Sequence, residues 1–219
     1  MISIAIDGPA GAGKSTISKI LAEKLNFIYL DTGALYRSIA YYLVSNNLNY
    51  ENMEILSSNL KHIKIFFKNN NVFLGSENIT KKIRENNISS IASKISNFKI
   101  IRDFLLGTQR DFAKNNNTIM DGRDIGTVIL PFANIKIFLT ATVEARAQRR
   151  YKEFLDKKNF NINYEEVLKT IKQRDFNDSH RKISPLISAE DAVIIDTTYY
   201  DLNQSFNIVF DIVNEKLNL

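Results

Sequence analysis

Residues 8–16 read Gly8-Pro9-Ala10-Gly11-Ala12-Gly13-Lys14-Ser15-Thr16 and fit the pattern G-x-x-x-x-G-K-[ST] of a phosphate-binding loop. The run Ile2-Ser3-Ile4-Ala5-Ile6 before it reads as a short buried strand. After it, Ile17, Ile20, Leu21 and Leu25 fall at helical spacing. Strand, glycine loop and helix form the context that gives the motif its meaning. The glycines let successive backbone N–H groups turn inward toward phosphate oxygens, and the helix adds its positive N-terminal end. Gly8, Pro9, Ala10, Gly11, Ala12, Gly13, Lys14, Ser15 and Thr16 are therefore expected to cradle a nucleoside triphosphate. Lys14 is expected to reach the β- and γ-phosphates and the Ser15 hydroxyl to bind Mg²⁺.

Outward from this loop, residues 2–6, 27–30, 118–120, 135–139 and 192–195 read as five strands separated by helical stretches. Such alternation predicts an α/β fold: a five-stranded parallel sheet flanked by helices. Asp7, Asp31, Asp121 and Asp196 stand at or next to strand ends, and ligands of such sheets lie beyond those ends. Residues 50–97 break the alternation. Two runs, 62–67 and 72–74, flank an asparagine tract like the arms of a hairpin, and Gly75 and Asn78 mark a further turn. We read residues 50–97 as a small β-containing insertion within a single domain spanning 1–219. Helices are expected over about 33–45, 99–114, 142–154 and 202–217. Another begins at Asn163, which with Glu166 resembles a capping box, and frays near Ser179.

Composition narrows the function classes. The chain has 219 residues, 44% of them hydrophobic, which is ordinary for a water-soluble domain. Its apolar runs are too short to cross a bilayer, and a strand at the N-terminus leaves no room for a signal peptide. The absence of cysteine excludes disulfides and thiolate metal sites. The expectation is a cytoplasmic monomer with no membrane or nucleic-acid partner. The net charge of +5 suits a pocket for anionic nucleotides, because the arginines cluster within motifs.

Three further groups carry chemistry. Asp31-Thr32-Gly33-Ala34-Leu35-Tyr36-Arg37 follows the second strand, where an arginine can grip a phosphate in bidentate fashion or simply be solvated at a helix start. Asp121-Gly122-Arg123-Asp124-Ile125-Gly126-Thr127 follows the third. An acid in that position beside a phosphate loop commonly holds Mg²⁺ through water, and this gives Asp121 its expected role. Arg146, Arg149 and Arg150 share one helix. Arg174, Asp178 and Arg181 follow the spacing i, i+4, i+7 and face one way if their helix persists. They either neutralise a transferring phosphoryl group or form a surface ion pair.

Taken together, these motifs resemble the bacterial cytidylate kinase family. The likeness runs from Ile6-Asp7-Gly8-Pro9-Ala10-Gly11 through the Asp31–Arg37 and Asp121–Thr127 stretches to Arg174-Asp175 and Ser184-Pro185-Leu186. The resemblance implies ATP-dependent phosphorylation of CMP and dCMP with Mg²⁺. It implies that Ser93, Arg102 and Asp124 read cytosine, and that Arg37 and Arg123 hold the CMP phosphate. Arg174, Asp178 and Arg181 would meet sugar and phosphates, with Thr32 and Tyr36 completing the substrate-binding set. Lys14, Arg123, Arg150 and Arg174 would act on the transferring group. Residues 50–97 would be a monophosphate-binding subdomain and 150–164 a lid. The family's run after Arg174 is usually richer in Arg and Asp. Here Phe176, Asn177 and Ser179 interrupt it, so the placement of Arg181 depends on that turn.

Three other readings compete. A GTP switch would normally carry Asn-Lys-x-Asp, and no Asn here is followed by Lys. An RNA-binding ATPase is suggested by the pI of about 9.2. Turnover with ATP plus CMP, against ATP plus RNA, separates it. A kinase for another small acceptor is opposed by Ser93, Arg102 and Asp124 alone.

Overall fold

The computed structural model describes residues 1–68, 71–156 and 162–218. The chain folds as two compact units, one of residues 1–30 and 112–219, the other of residues 31–111.

The first unit is built on a sheet whose strands are β1 (Ser3–Asp7), β2 (Ile28–Asp31), β6 (Thr118–Gly122), β7 (Ile135–Thr140) and β8 (Val193–Asp196). Their order is β2-β6-β1-β7-β8, and β1 pairs in parallel with both β6 and β7. A central parallel strand is covered on both faces, which is why Ala5 is as fully buried as Ile4 and Ile6 and β1 does not alternate. The expected parallel sheet is therefore present, with every strand within two residues of its expected bounds. Helices α1 (Lys14–Leu25) and α8 (Leu202–Leu217) bury Ile17, Leu21, Val209 and Val213 against Ile119, Ile137 and Leu139. Asp201 and Gln204 start α8 with a full capping box, satisfying two N–H groups that the helix leaves open. Helices α6 (Val143–Asp156) and α7 (Tyr164–His180) pack on each other through Ala147, Val167 and Ile171. Asn163 caps α7, accepting from the Glu166 N–H at 2.8 Å.

The second unit holds α2 (Thr32–Ser45), α3 (Met53–Leu60), a small sheet of β3 (Ile65–Lys68), β4 (Asn71–Leu74) and β5 (Glu77–Asn78), α4 (Asn86–Ile95) and most of α5 (Lys99–Asn115). The segment 50–97 lies within it, together with α2, which packs on α4. The hairpin forms as expected, pairing Ile65 with Leu74 and Phe67 with Val72. Asn78, expected in a turn, instead pairs with Phe73 in a third strand, and Gly75, at φ 58°, makes the turn with Ser76. Two helices, α3 and α4, stand on either side of the hairpin, in stretches for which the sequence reading gave no element. The stripe Ile88, Ala92, Ile95 that buries α4 was visible as a helical pattern.

Candidate active site

In the first unit the loop closes tightly on its surroundings. Gly8 has φ 145°, and a Cβ there would sit 2.0 Å from the Leu139 carbonyl oxygen. Gly11, at φ 78°, leaves 3.1 Å between such an atom and the Arg146 Cβ. Gly13, at φ 88°, caps α1 and has no side chain to occupy the helix's first N–H groups. Lys14 is buried and donates to the Pro9 carbonyl at 2.7 Å. Burial, and then the charge of Arg123, lower its pKa, while Asp121, Asp7 and Asp178 oppose that. An ammonium held this way gains from any anion that arrives.

The Ser15 hydroxyl donates to Asp121 Oδ2 at 2.6 Å, and the Tyr29 hydroxyl donates to Asp121 Oδ1 at 2.8 Å. A hydroxyl and a carboxylate, at the mouth of an N–H nest, are the hard oxygen donors that Mg²⁺ takes when phosphates and water complete its shell. The residues fit that ion. Tyr29, on β2, was missed by the sequence reading, since nothing local ties a tyrosine on one strand to an acid on the next.

Asp7 stands, as expected, at the end of β1 on the sheet edge. Its carboxylate is spent internally, accepting from the N–H groups of Ile125 at 2.8 Å and Gly126 at 2.7 Å. Burial pushes its pKa up to about 6 against those two bonds. What it pins is a π-helical turn, Ile125–Ile129, that follows Asp124 directly. Such turns recur at functional sites.

Arg123 Nε donates to Asp178 Oδ2 at 2.7 Å. Burial alone would raise the Asp178 carboxyl, but Arg123, then Arg174 and Arg181, outweigh it and hold the pKa low. Arg123, Arg174, Asp178 and Arg181 are thus one electrostatic group. Arg181 gets there by a route other than the expected helical face. The helix α7 ends at His180, and Arg181 is extended at φ −65°, ψ 142°. The chain then folds back, with the Leu186 N–H donating to the Asp178 carbonyl and Arg181 Nε to the Ser184 carbonyl. This brings Arg181 Nη2 to 3.5 Å from Asp124 Oδ1.

The three arginines of α6 diverge. Arg146 is buried in an ion pair with Asp175. Arg149 donates to the Thr197 hydroxyl at 3.1 Å and to the Tyr200 carbonyl, bracing the end of β8. Arg150 pairs with Glu153 at 2.6 Å and lies over the Phe154 ring. Of the lid expected over 150–164, residues 157–161 lie outside the described residues.

The other expected residues belong to the second unit. Asp31 caps α2 through the Ala34 N–H and pairs with Arg37 at 2.9 Å and Arg84 at 2.8 Å. Burial raises its carboxyl, but the two arginines more than reverse this. Arg84, in a 3-10 turn after β5, was not anticipated. Thr32 is buried at the start of α2. The Arg102 guanidinium lies 5.7 Å from the Tyr36 ring, and its Nη1 donates to the Ser96 carbonyl at 3.0 Å. Ser93 sits three residues before Ser96, on α4, and its carbonyl accepts from the Ser96 hydroxyl. Ser93 and Arg102 are thus in the second unit and Asp124 in the first. Among the described residues no cluster of His, Asp and Glu is arranged to hold a metal by itself, and no helix is long and apolar enough to cross a membrane.

Comparison with known proteins adds a second line of findings. A cytidylate kinase family model matches residues 4–215. A cytidylate kinase of Fusobacterium nucleatum is 48% identical over 208 residues, covering 95% of each chain. One from Thermosipho melanesiensis is 46% identical, covering 99% of this chain and 98% of its own. Among solved structures, an uncharacterized protein from Eubacterium ventriosum shares the fold at a TM-score of 0.53 and 13% identity, over 98% of both chains. The nest, the strand-end acids and the arginine group occur in a sequence that this family model matches almost from end to end, and the chain belongs to the cytidylate kinase family.

Proposed function

We propose that this chain transfers the γ-phosphoryl group of ATP to CMP and dCMP, giving CDP and dCDP. The observation that carries the reading is the group of Lys14, Arg123, Arg174, Asp178 and Arg181 gathered around the phosphate-binding loop in one unit. A CMP phosphate oxygen attacks the γ-phosphorus in line. The new O–P bond forms as the bond to the β-phosphate bridging oxygen breaks, and ADP leaves. No covalent intermediate on the protein is needed, so catalysis is positioning plus charge compensation.

Lys14 compensates charge on the β- and γ-phosphates, and Arg123, Arg150 and Arg174 on the transferring group. Ser15 and, across water, Asp121 would hold Mg²⁺, which when bound would neutralise charge on the triphosphate. Arg37 and Arg123 hold the acceptor phosphate, with Thr32 and Tyr36 beside it, and Arg181 and Asp178 meet the sugar and phosphates. Ser93, Arg102 and Asp124 read the base, and residues 50–97 supply the monophosphate-binding subdomain. The segment 150–164 closes as a lid that keeps water from replacing the acceptor. The reaction takes place in the cytoplasm and requires a single chain, no nucleic acid and no membrane.

A coupled ADP-release assay across CMP, dCMP, UMP, AMP and GMP tests the proposal. CMP and dCMP should give kcat/KM values well above those of the other acceptors. Equal turnover of all five would refute the base-reading assignment, and no acceptor-dependent ADP release would refute the kinase reading itself.

A further inference from the structure

Of the three arginines on α6, Arg146 has a side chain only 4% exposed, and every contact it makes is to the protein's own framework. Its Nε donates to the Ala141 carbonyl at 2.9 Å. Its Nη1 donates to the Ala10 carbonyl at 3.0 Å and to Asp175 Oδ1 at 3.0 Å. Its Nη2 donates to Asp175 Oδ2 at 2.6 Å. One planar guanidinium thus ties α6 and α7 to the middle of the phosphate-binding loop. A lysine's single ammonium cannot span those acceptors. The approach is close, and glycine suits residue 11: its φ is 78°, and a Cβ there would meet the Arg146 Cβ at 3.1 Å and its carbonyl oxygen at 3.2 Å, contacts that only a small shift would relieve.

The peptide between Ala10 and Gly11 is trans, as are all the described peptide bonds. In a trans peptide the C=O and N–H point in opposite directions. Holding the Ala10 carbonyl toward Arg146 therefore directs the Gly11 N–H the other way, into the anion nest. Asp175 in turn fixes the guanidinium plane by a two-point contact. It is also the neighbour of Arg174 and lies one turn from Asp178 on α7.

We propose that Arg146, held in plane by Asp175, is a positioning residue for the triphosphate: it fixes the direction of the Gly11 amide without touching ATP. The proposal rests on the reading that this loop binds ATP. It assigns the buried arginine of α6 a role separate from that of Arg150, which stays at the surface.

The test uses Arg146→Lys, Asp175→Asn and the double variant in the full-length chain. Dissociation constants for ATP, KM for CMP at saturating ATP, and melting temperatures are measured together. Each single change should weaken ATP binding about tenfold, the scale of one lost hydrogen bond to a charged group. KM for CMP should stay within about twofold. The double variant should bind ATP no more weakly than the weaker single one, because both act on the same amide. Asp175→Asn keeps the side chain's shape and carries the test if Arg146→Lys does not fold. Unchanged ATP affinity in a folded variant would overturn the proposal and leave Arg146 a brace for α6 and α7. An equal loss for ATP and CMP would overturn it as well. Failure of the unaltered chain to bind ATP would instead remove the reading on which the proposal rests.

Discussion

Asp7→Asn separates the two things Asp7 does. Its pKa rises from 3.8 to about 6 on folding, because burial outweighs the two backbone N–H groups it accepts. At roughly 1.4 kcal/mol for each pH unit, that rise is worth about 3 kcal/mol. The folded state holds the proton more tightly than the unfolded chain does. The contribution is therefore fully present below pH 3.8, and it is lost as pH rises through about 6. Asparagine is neutral throughout and has no such slope. The stability of the unaltered chain relative to Asp7→Asn should thus fall by about 2.4 kcal/mol between roughly pH 4 and pH 7, whatever the offset between the two. Urea denaturation of both proteins across that range, without nucleotide, reads the difference directly. A difference that stays flat, or that grows with pH, would refute the reasoning. Activity reports the other role. Asparagine has one acceptor oxygen for two N–H groups, so the turn after Asp124 loses an anchor, and kcat/KM for CMP should drop even at a pH where the variant is fully folded.

Three further outcomes are expected. Lys14→Ala should lower kcat about 10²- to 10³-fold with an unchanged or slightly raised melting temperature, since it removes a buried ammonium whose work is on phosphate; near-normal turnover in a folded variant would count against the loop assignment. Asp178→Ala should cost about 2 kcal/mol in stability, because it removes the ion-pair partner of the partly buried Arg123 guanidinium, and chemical denaturation measures it; a loss below about 1 kcal/mol would show the pair to be solvent-screened. Asp124→Asn should lose CMP activity and narrow the ratio of kcat/KM between CMP and UMP, because an ionised aspartate accepts from the cytosine amino group and repels the uracil carbonyl. Its amide can instead donate to that carbonyl. An unchanged ratio, with both activities lower, would assign Asp124 to loop geometry instead.

Much of this was legible in the sequence because the signals are local. The loop at residues 8–16, the strand-end acids, and the cap at Asn163 each rest on chemistry within a few residues. An N-cap or a glycine turn works the same way wherever it sits. Patterns in short segments are less decisive. The stripe Ile88, Ala92, Ile95 spans under three helical turns, and beside a clear hairpin it was read as part of a β-containing insertion. Membership of the cytidylate kinase family was likewise visible in the order of the motifs.

What the chain alone could not decide is where each charge finds its partner. Arg146, Arg149 and Arg150 are identical side chains within five residues of one another. The orientation of α6 sends the first to Ala10 and Asp175, the second to Thr197, and leaves the third at the surface with Glu153. Asp7 and Ile125 are 118 positions apart, and only the pairing of β1 with β6 brings them within bonding distance. Arg181 reaches Asp124 because its helix stops one residue earlier and the chain turns back through Ser184, not because of its spacing from Arg174. A charge's energy depends on burial and on what lies within a few ångströms of it, and both are properties of the packed fold. Spacing along the sequence proposes which groups carry charge; the tertiary structure determines which are spent holding the protein together and which remain for the substrate.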